Sequence, residues 1–264
     1  MPARRAGPGA PLPPRLAMIA DELASRGRLG TVYDIGTDHA KLPIWLLRNG
    51  ICSGSVATDI REAPLMKAAR NVELAGLSGA VRFALCDGMA GIGGFDPGSA
   101  VVAAGMGGAT LAGILERGAG AARLAGLVAL QPMNNHATLR RKLSDLGYCV
   151  LRERVAVDGA RVYVAIFCRW RGAAPSYSPA ELAIGKGEPI GTREARRRYL
   201  RFARKIAQNR HGGLTELARA RGLSACESAE LDELEGVLGH IDARAASLDD
   251  ENGCWTGKPH EFGG

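Results

Sequence analysis

Between residues 31 and 170, short β-prone runs alternate with helical stretches, and four of the runs close on an acid or a glycine. The four signatures are Asp34-Ile35-Gly36, Thr58-Asp59-Ile60, Cys86-Asp87-Gly88-Met89 and Ala104-Gly105-Met106-Gly107-Gly108. Strands alternating with helices form a parallel sheet covered by helices on both faces. Such a sheet binds its ligand at the carboxyl ends of its strands. The expected fold is therefore α/β and Rossmann-like. The spacing predicts strands over 31–35, 55–58, 80–85, 100–104 and 127–131, and helices over 16–25, 42–49, 63–75, 110–117 and 135–146. Residues 148–157 and 161–170 read as a closing hairpin, because Asp158-Gly159 between them is a strong turn signal.

Each strand end offers particular chemistry. Asp34 and Gly36 close the first run, where a bare backbone admits a ligand and the next helix presents unpaired N–H groups. The alternative is a purely structural turn. Asp59, with Ile60 beside it, lies 25 positions after Asp34, the spacing at which an acid accepts hydrogen bonds from ribose hydroxyls. Asp59 also suits a helix cap. Asp87-Gly88 reads equally as a simple turn. Gly105, Met106 and Gly107 place exposed backbone at the fourth strand end.

The 264 residues are 46% apolar and 23% charged, enough for one large domain or a medium one with a small companion. No apolar run approaches the roughly 20 residues needed to span a bilayer, so no membrane partner is expected. Residues 1–14 lack the apolar core of a secretory signal and read as a disordered tail, as do residues 251–264. The six cysteines show neither a disulfide framework nor zinc-ligand spacing. They are expected to be reduced, mostly buried thiols in a cytoplasmic protein with no metal site.

Residues 171–191 read as a linker, and the chain then changes character. Ala195, Tyr199, Phe202 and Ile206 form one stripe, with His211-Gly212-Gly213 expected to weaken or break that helix. Leu231, Leu234, Leu238, Ile241, Ala245 and Leu248 recur at spacings of 3 and 4, a heptad seam. Two such helices make a helical hairpin, giving domains over 15–175 and 176–250. Eight bases face one acid between positions 193 and 210, on a net charge of +7. A cationic helix of this density can track a phosphate backbone, with Arg193, Arg197, Arg201, Arg204 and, on an earlier helix, Arg140 as candidate contacts. The competing reading pairs part of this face with the five acids between 227 and 235.

Taken together, these motifs resemble the bacterial tRNA (adenine-22-N1)-methyltransferase family. Asp34 to Pro43 matches its Asp-Ile-Gly-Ser-Asp-His-Ala-x-Leu-Pro pattern, with Thr37 in place of Ser. Gly105 to Gly108 matches its Gly-Met-Gly-Gly block, and Leu130-Gln131-Pro132 with Asn134 or Asn135 resembles its Leu-Gln-Pro-Asn segment. The resemblance covers about residues 16–248 and implies a class I methyltransferase sheet. It implies S-adenosylmethionine as cofactor and tRNA as partner, with methyl transfer to N1 of adenine 22 in the D-arm. Asp38, His39, Asn134 and Asn135 are then the residues expected near the reacting base. Asp59 and Asp87 stand where the family also carries Glu and Asn. The oligomeric state expected is a monomer or weak homodimer. Rival readings are a methyltransferase acting on another RNA or a small molecule, an NAD-dependent oxidoreductase, and a non-enzymatic RNA-binding module. The first glycine loop lacks the full dinucleotide fingerprint, which disfavours the oxidoreductase.

Overall fold

The computed structural model describes residues 11–173 and 175–250, in two compact units divided between Arg196 and Arg197. The tail over 251–264, with Cys254, and residues 1–10 of the other tail lie outside the described residues. Pro14, assigned to the tail by sequence, is instead the first residue of helix α1 (Pro14–Ala24). Its ring presets the helical φ, and its missing N–H is not needed at that position.

The first unit continues through β1 (Leu29–Ile35), α2 (Lys41–Arg48), β2 (Cys52–Asp59), α3 (Glu62–Leu74) and β3 (Val81–Leu85). Then come β4 (Ala100–Met106), α4 (Gly108–Arg117), α5 (Ala119–Ala122), β5 (Leu127–Pro132) and α6 (His136–Asp145). β6 (Tyr148–Asp158), β7 (Arg161–Trp170) and α7 (Pro179–Ile184) complete it. The strands form one seven-stranded sheet of order β3-β2-β1-β4-β5-β7-β6. β7 runs antiparallel to both its neighbours, and β1 to β5 are parallel. β5 is buried along its whole length, as expected of a strand covered on both faces. Asp158 pairs with Arg161, so the hairpin turn is Gly159-Ala160, and Gly159 takes the φ of +55° such a turn favours.

Packed against the sheet, α1 and α2 contribute Leu16, Ile19, Leu23 and Leu46 to a core shared with Val32, Val102, Ala129 and Phe167. Ala40, Ala57, Ala68, Val72 and Val81 form a second cluster. The stretch read as a linker contains α7, which is opened by a capping box between Ser178 and Glu181.

α8 (Arg193–Arg221) begins at the end of the first unit and continues into the second, followed by α9 (Ala225–Asp250). α8 runs unbroken through Gly212 and Gly213, against the sequence expectation. Two interior glycines cost about 1 kcal/mol each, and the wholly buried Leu214 beside them offsets that cost. Ile206 is 53% exposed, so the expected stripe is replaced by Ala203, Ala207 and Leu214 beyond Tyr199. On α9, Ile241 and Leu248 of the heptad seam are buried, with Val237 added. Arg197 pairs with Asp249, Arg204 with Asp242 at 2.6 Å and Arg210 with Glu230 at 2.7 Å, which fixes the helices as antiparallel. Among the described cysteines Cys52 and Cys168 are buried, and Cys226 is exposed, contrary to the expected burial.

Candidate active site

All four strand-end signatures open into one cavity of about 570 Å³ at the carboxyl ends of β1, β2, β3 and β4. Its lining includes Asp34, Gly36, Asp38, His39, Asp59, Ile60, Asp87, Gly88, Gly105 and Met106. Gly107, Asn134 and Asn135, which sequence placed with them, do not line it.

The floor is the turn after β1. Gly36 adopts a φ of +73°, and its N–H and that of Thr37 both donate to the Thr58 carbonyl at 2.8 Å. A Cβ on Gly36 would lie 2.2 Å from the Met106 side chain. Asp34 is buried beneath this turn and accepts a 2.6 Å hydrogen bond from the Thr37 hydroxyl. Burial pushes its carboxyl up to about 6, opposed by that hydrogen bond and by the charge of Arg15.

Asp38 and Ala40 hold left-handed φ angles of +51° and +53° on either side of His39. Non-glycine residues rarely adopt this region, and such strain gathers at functional sites. The turn is fastened from α3, where the Asn71 amide donates to the His39 carbonyl at 3.1 Å. Asp38 does not cap the following helix, because Ala40 occupies the N-cap position. Its exposed carboxylate stands 3.5 Å from His39 Nε2 at the cavity wall.

On one side of β1, Asp59 Oδ1 accepts from the Arg61 N–H at 2.9 Å, and Ile60 leaves 66% of its surface exposed beside it. Asp87 is exposed and pairs with Arg117 at 3.0 Å. On the other side, Gly105 has a φ of +81° and donates its N–H to the buried Gln131 side chain at 3.1 Å. The loop after β5 then locks onto the glycine block. Gly108 N–H donates to the Asn134 carbonyl at 3.1 Å and lies 3.3 Å from its Oδ1. Asn134 thus supports the wall, and Asn135, at a φ of +51°, is the N-cap residue of α6 without a side-chain cap bond.

Sequence reasoning missed Arg15, Asn71 and Gln131. Arg15 lines the cavity from the first turn of α1. No local pattern marks Arg15 or Asn71, and Gln131, although it lies in the Leu-Gln-Pro segment, has no role there by sequence; each reaches the site across elements distant in sequence.

Arg140 requires a correction. It is wholly buried, with Nε and Nη2 donating to Glu153 at 2.8 and 2.7 Å and Nη1 donating to the Leu182 and Ala183 carbonyls. It anchors α7 and is closed to a phosphate. Of the other candidate RNA contacts, Arg197 and Arg204 carry ion pairs to α9, Arg193 lies in the first turn of α8, and Arg201 is exposed. Arg201 makes no ion pair among the described residues.

A parallel five-stranded core closed by an antiparallel β7, with acids and glycines converging at its strand ends, defines a class I methyltransferase. A methyltransferase-domain family matches residues 12–166. The tRNA (adenine(22)-N(1))-methyltransferase of Bacillus subtilis is 30% identical over 173 residues, covering 65% of this chain and 70% of that protein. The chain belongs to the tRNA (adenine-22-N1)-methyltransferase family. Among solved structures, the B. subtilis M1A22 tRNA methyltransferase TrmK superposes with a TM-score of 0.72 at 24% identity, covering 90% of this chain and all of that one. Streptococcus pneumoniae Sp1610 in complex with S-adenosyl-L-methionine gives 0.69 at 26% identity, covering 85% and 98%.

Proposed function

We propose that this protein transfers a methyl group from S-adenosylmethionine to N1 of adenine 22 in the D-arm of tRNA, in the cytoplasm and as a monomer or weak homodimer. The observation that carries the reading is the convergence of four strand-end signatures on one cavity. The cavity fits the cofactor. Its volume lies within the roughly 300–1,000 Å³ of small-molecule sites, and Gly36 and Gly105, both at positive φ, bring bare main chain to its lining. Asp59 offers an acceptor to ribose hydroxyls, Ile60 an apolar face and Asp87 an acceptor to the adenine amino group. When bound, the cofactor supplies an electrophilic methyl on a sulfonium.

N1 of adenine carries an in-plane lone pair, so no covalent enzyme intermediate is needed. N1 lies on the Watson–Crick edge, and the base has to leave its stack to react. The protein's part is alignment and charge. The product is cationic, and the Asp38 carboxylate, held by the strained turn with His39 beside it, stabilises that charge as it forms. Asn134 keeps the opposing wall in register.

Unmodified tRNA transcripts with adenine or guanine at position 22, incubated with the protein and cofactor, test the reading by mass spectrometry of nucleosides. N1-methyladenosine is expected from the adenine transcript alone. Asp38→Ala and His39→Ala should lower turnover while cofactor affinity persists. Methylation of neither transcript by a protein that binds the cofactor would redirect the activity to another RNA or a small molecule.

The pH dependence of cofactor affinity reports on Asp34. With its carboxyl near 6, the group is anionic at pH 7 and loses its charge as the pH falls below that value. Affinity for S-adenosylhomocysteine is expected to fall about tenfold per unit below pH 6. Asp34→Asn should flatten the profile, and an unchanged profile in that variant would remove Asp34 from cofactor binding.

For tRNA, α8 supplies the phosphate contacts through Arg201 and Lys205, with Arg193, Arg197 and Arg204 flanking them. Affinity should fall steeply with salt, and Arg201→Ala should reduce the log–log salt slope by about 1 while leaving cofactor affinity intact. A flat salt response would exclude this face.

A further inference from the structure

The sheet ends on an open edge at β3. The Ala80 carbonyl accepts from the Ser55 N–H at 2.9 Å and the Cys86 N–H donates to the Asp59 carbonyl at 3.0 Å, so the even-numbered residues turn their main-chain groups toward β2. Those of Val81, Phe83 and Leu85 then point away from the sheet. No strand or loop among the described residues bonds to them. Natural edges are guarded by a proline, a bulge, a charge or a covering segment. The far edge, β6, has two of these: a register shift between Val150 and Arg152, and a bridge from Ile190 to Arg154. β3 holds one register throughout, carries no proline, and places its single charge, Arg82, on the face opposite Val81 and Phe83.

Beside this edge, α3 and β3 border an open groove of about 610 Å³. Phe83 lines it half-buried, and Met66 of α3 contributes a side chain that is 67% exposed. Leu85, 60% exposed, continues the apolar surface at the end of the strand. Arg70 and Glu73 flank the groove one helical turn apart, both exposed and without an ion pair among the described residues.

This arrangement is complementary to itself. About a two-fold axis normal to the sheet at Phe83, β3 meets its equivalent antiparallel, with Phe83 facing Phe83 and Val81 facing Leu85. The outward N–H and C=O groups of the two copies then satisfy one another. Arg82 falls opposite Ala84, so no like charges meet. The same axis sets α3 antiparallel to its equivalent on one face of the joined sheet, where Arg70 of each copy meets Glu73 of the other. A peptide strand from another protein would satisfy the main chain alone.

We propose that the open β3 edge and the α3 groove form a homodimer interface, in which two copies join their sheets into one. The proposal is independent of the methyl-transfer reading. One short strand and one helix face from each copy make a small interface, so association in the micromolar range is expected.

Sedimentation velocity of the full chain over about 1–100 μM tests it, under reducing conditions so that the exposed Cys226 cannot link two copies. The unsubstituted protein should pass from monomer to dimer across that range. Arg70→Glu and Glu73→Arg each set like charges across the axis and should weaken association about tenfold or more. An equimolar mixture of the two variants should regain the original affinity, because one copy then carries acids at both positions and the other carries bases. Leu85→Pro removes an outward N–H while sparing the bonds to β2, and should weaken association to a similar extent. If Leu85→Pro fails to fold in thermal unfolding, the two exposed charge positions carry the test. A monomer at every concentration would overturn the proposal, as would a dimer that these substitutions leave unchanged. Failure of the mixture to recover would overturn it too, and so would an unweakened dimer in folded Leu85→Pro.

Discussion

Glu153→Ala is expected to destabilise the protein by about 3–5 kcal/mol in urea unfolding followed by circular dichroism, because it strands a buried cation. Arg140 is wholly buried and makes a two-pronged contact with Glu153, whose carboxylate is itself nearly covered. Removing the carboxylate leaves the guanidinium without its counter-charge, and water cannot replace it without opening the contact between α6 and α7. Replacing both residues by apolar ones would not restore stability, although such exchanges are often neutral. The Leu182 and Ala183 carbonyls accept from Arg140 and would be orphaned. In material that remains folded, tRNA affinity should be unchanged. A loss below about 1 kcal/mol, typical of an exposed pair, would mean that Arg140 reaches solvent.

Gly108→Ala is expected to lower kcat/KM for tRNA methylation by about 100-fold, the scale of a misplacement near 1 Å. A Cβ there would stand 2.5 Å from the Asn135 carbonyl oxygen and 2.7 Å from that of Asn134. Both are backbone atoms and cannot turn aside as a side chain would. The glycine block and the loop after β5 have to separate, shifting Gly105 and Met106 in the cavity wall. Affinity for S-adenosylhomocysteine should change much less, since Asp34 and Asp59 lie on β1 and β2 and Asp87 just after β3. Gly107→Ala is the control, because its Cβ would meet side chains rather than backbone, Asn134 Oδ1 at 3.1 Å and Thr110 Oγ1 at 3.7 Å. Equal activity in the two variants would show that the close approach at Gly108 has no bearing on catalysis.

The basic residues of α8 divide into two groups. Arg197, Arg204 and Arg210 are engaged by acids of α9, which leaves Arg201 and Lys205 without such partners among the described residues. The sequence offered both an RNA surface and an internal charge match; the ion pairs to α9 show the second in part, and the exposed Arg201 and Lys205 support the proposed RNA contact. Exposed ion pairs are weak, about 0–1 kcal/mol each, so the engaged arginines remain exchangeable toward phosphates.

Local sequence determined the strands, most helices, the hairpin turn and the acid or glycine at each strand end. Those features rest on short-range physics: β-branched runs, helical periodicity, and glycines such as Gly36 and Gly159 where a positive φ is required. Even the capping box that opens α7, Ser178 with Glu181, was present in the residues, though the glycine and proline around it read as linker. Tertiary structure alone decided which residues face one another. It buried Arg140 against Glu153, because a charge on an amphipathic helix is solvated or sequestered according to what packs on it. It kept α8 continuous through Gly212-Gly213, where the cost of two glycines is met by burial of Leu214. It also brought Arg15 from α1 into the cavity wall, and set Asn71 of α3 and Gln131 of β5 against the His39 and Gly105 backbone that borders it. Contacts between elements distant in sequence depend on the relative placement of whole helices and strands, which no spacing within a single segment encodes.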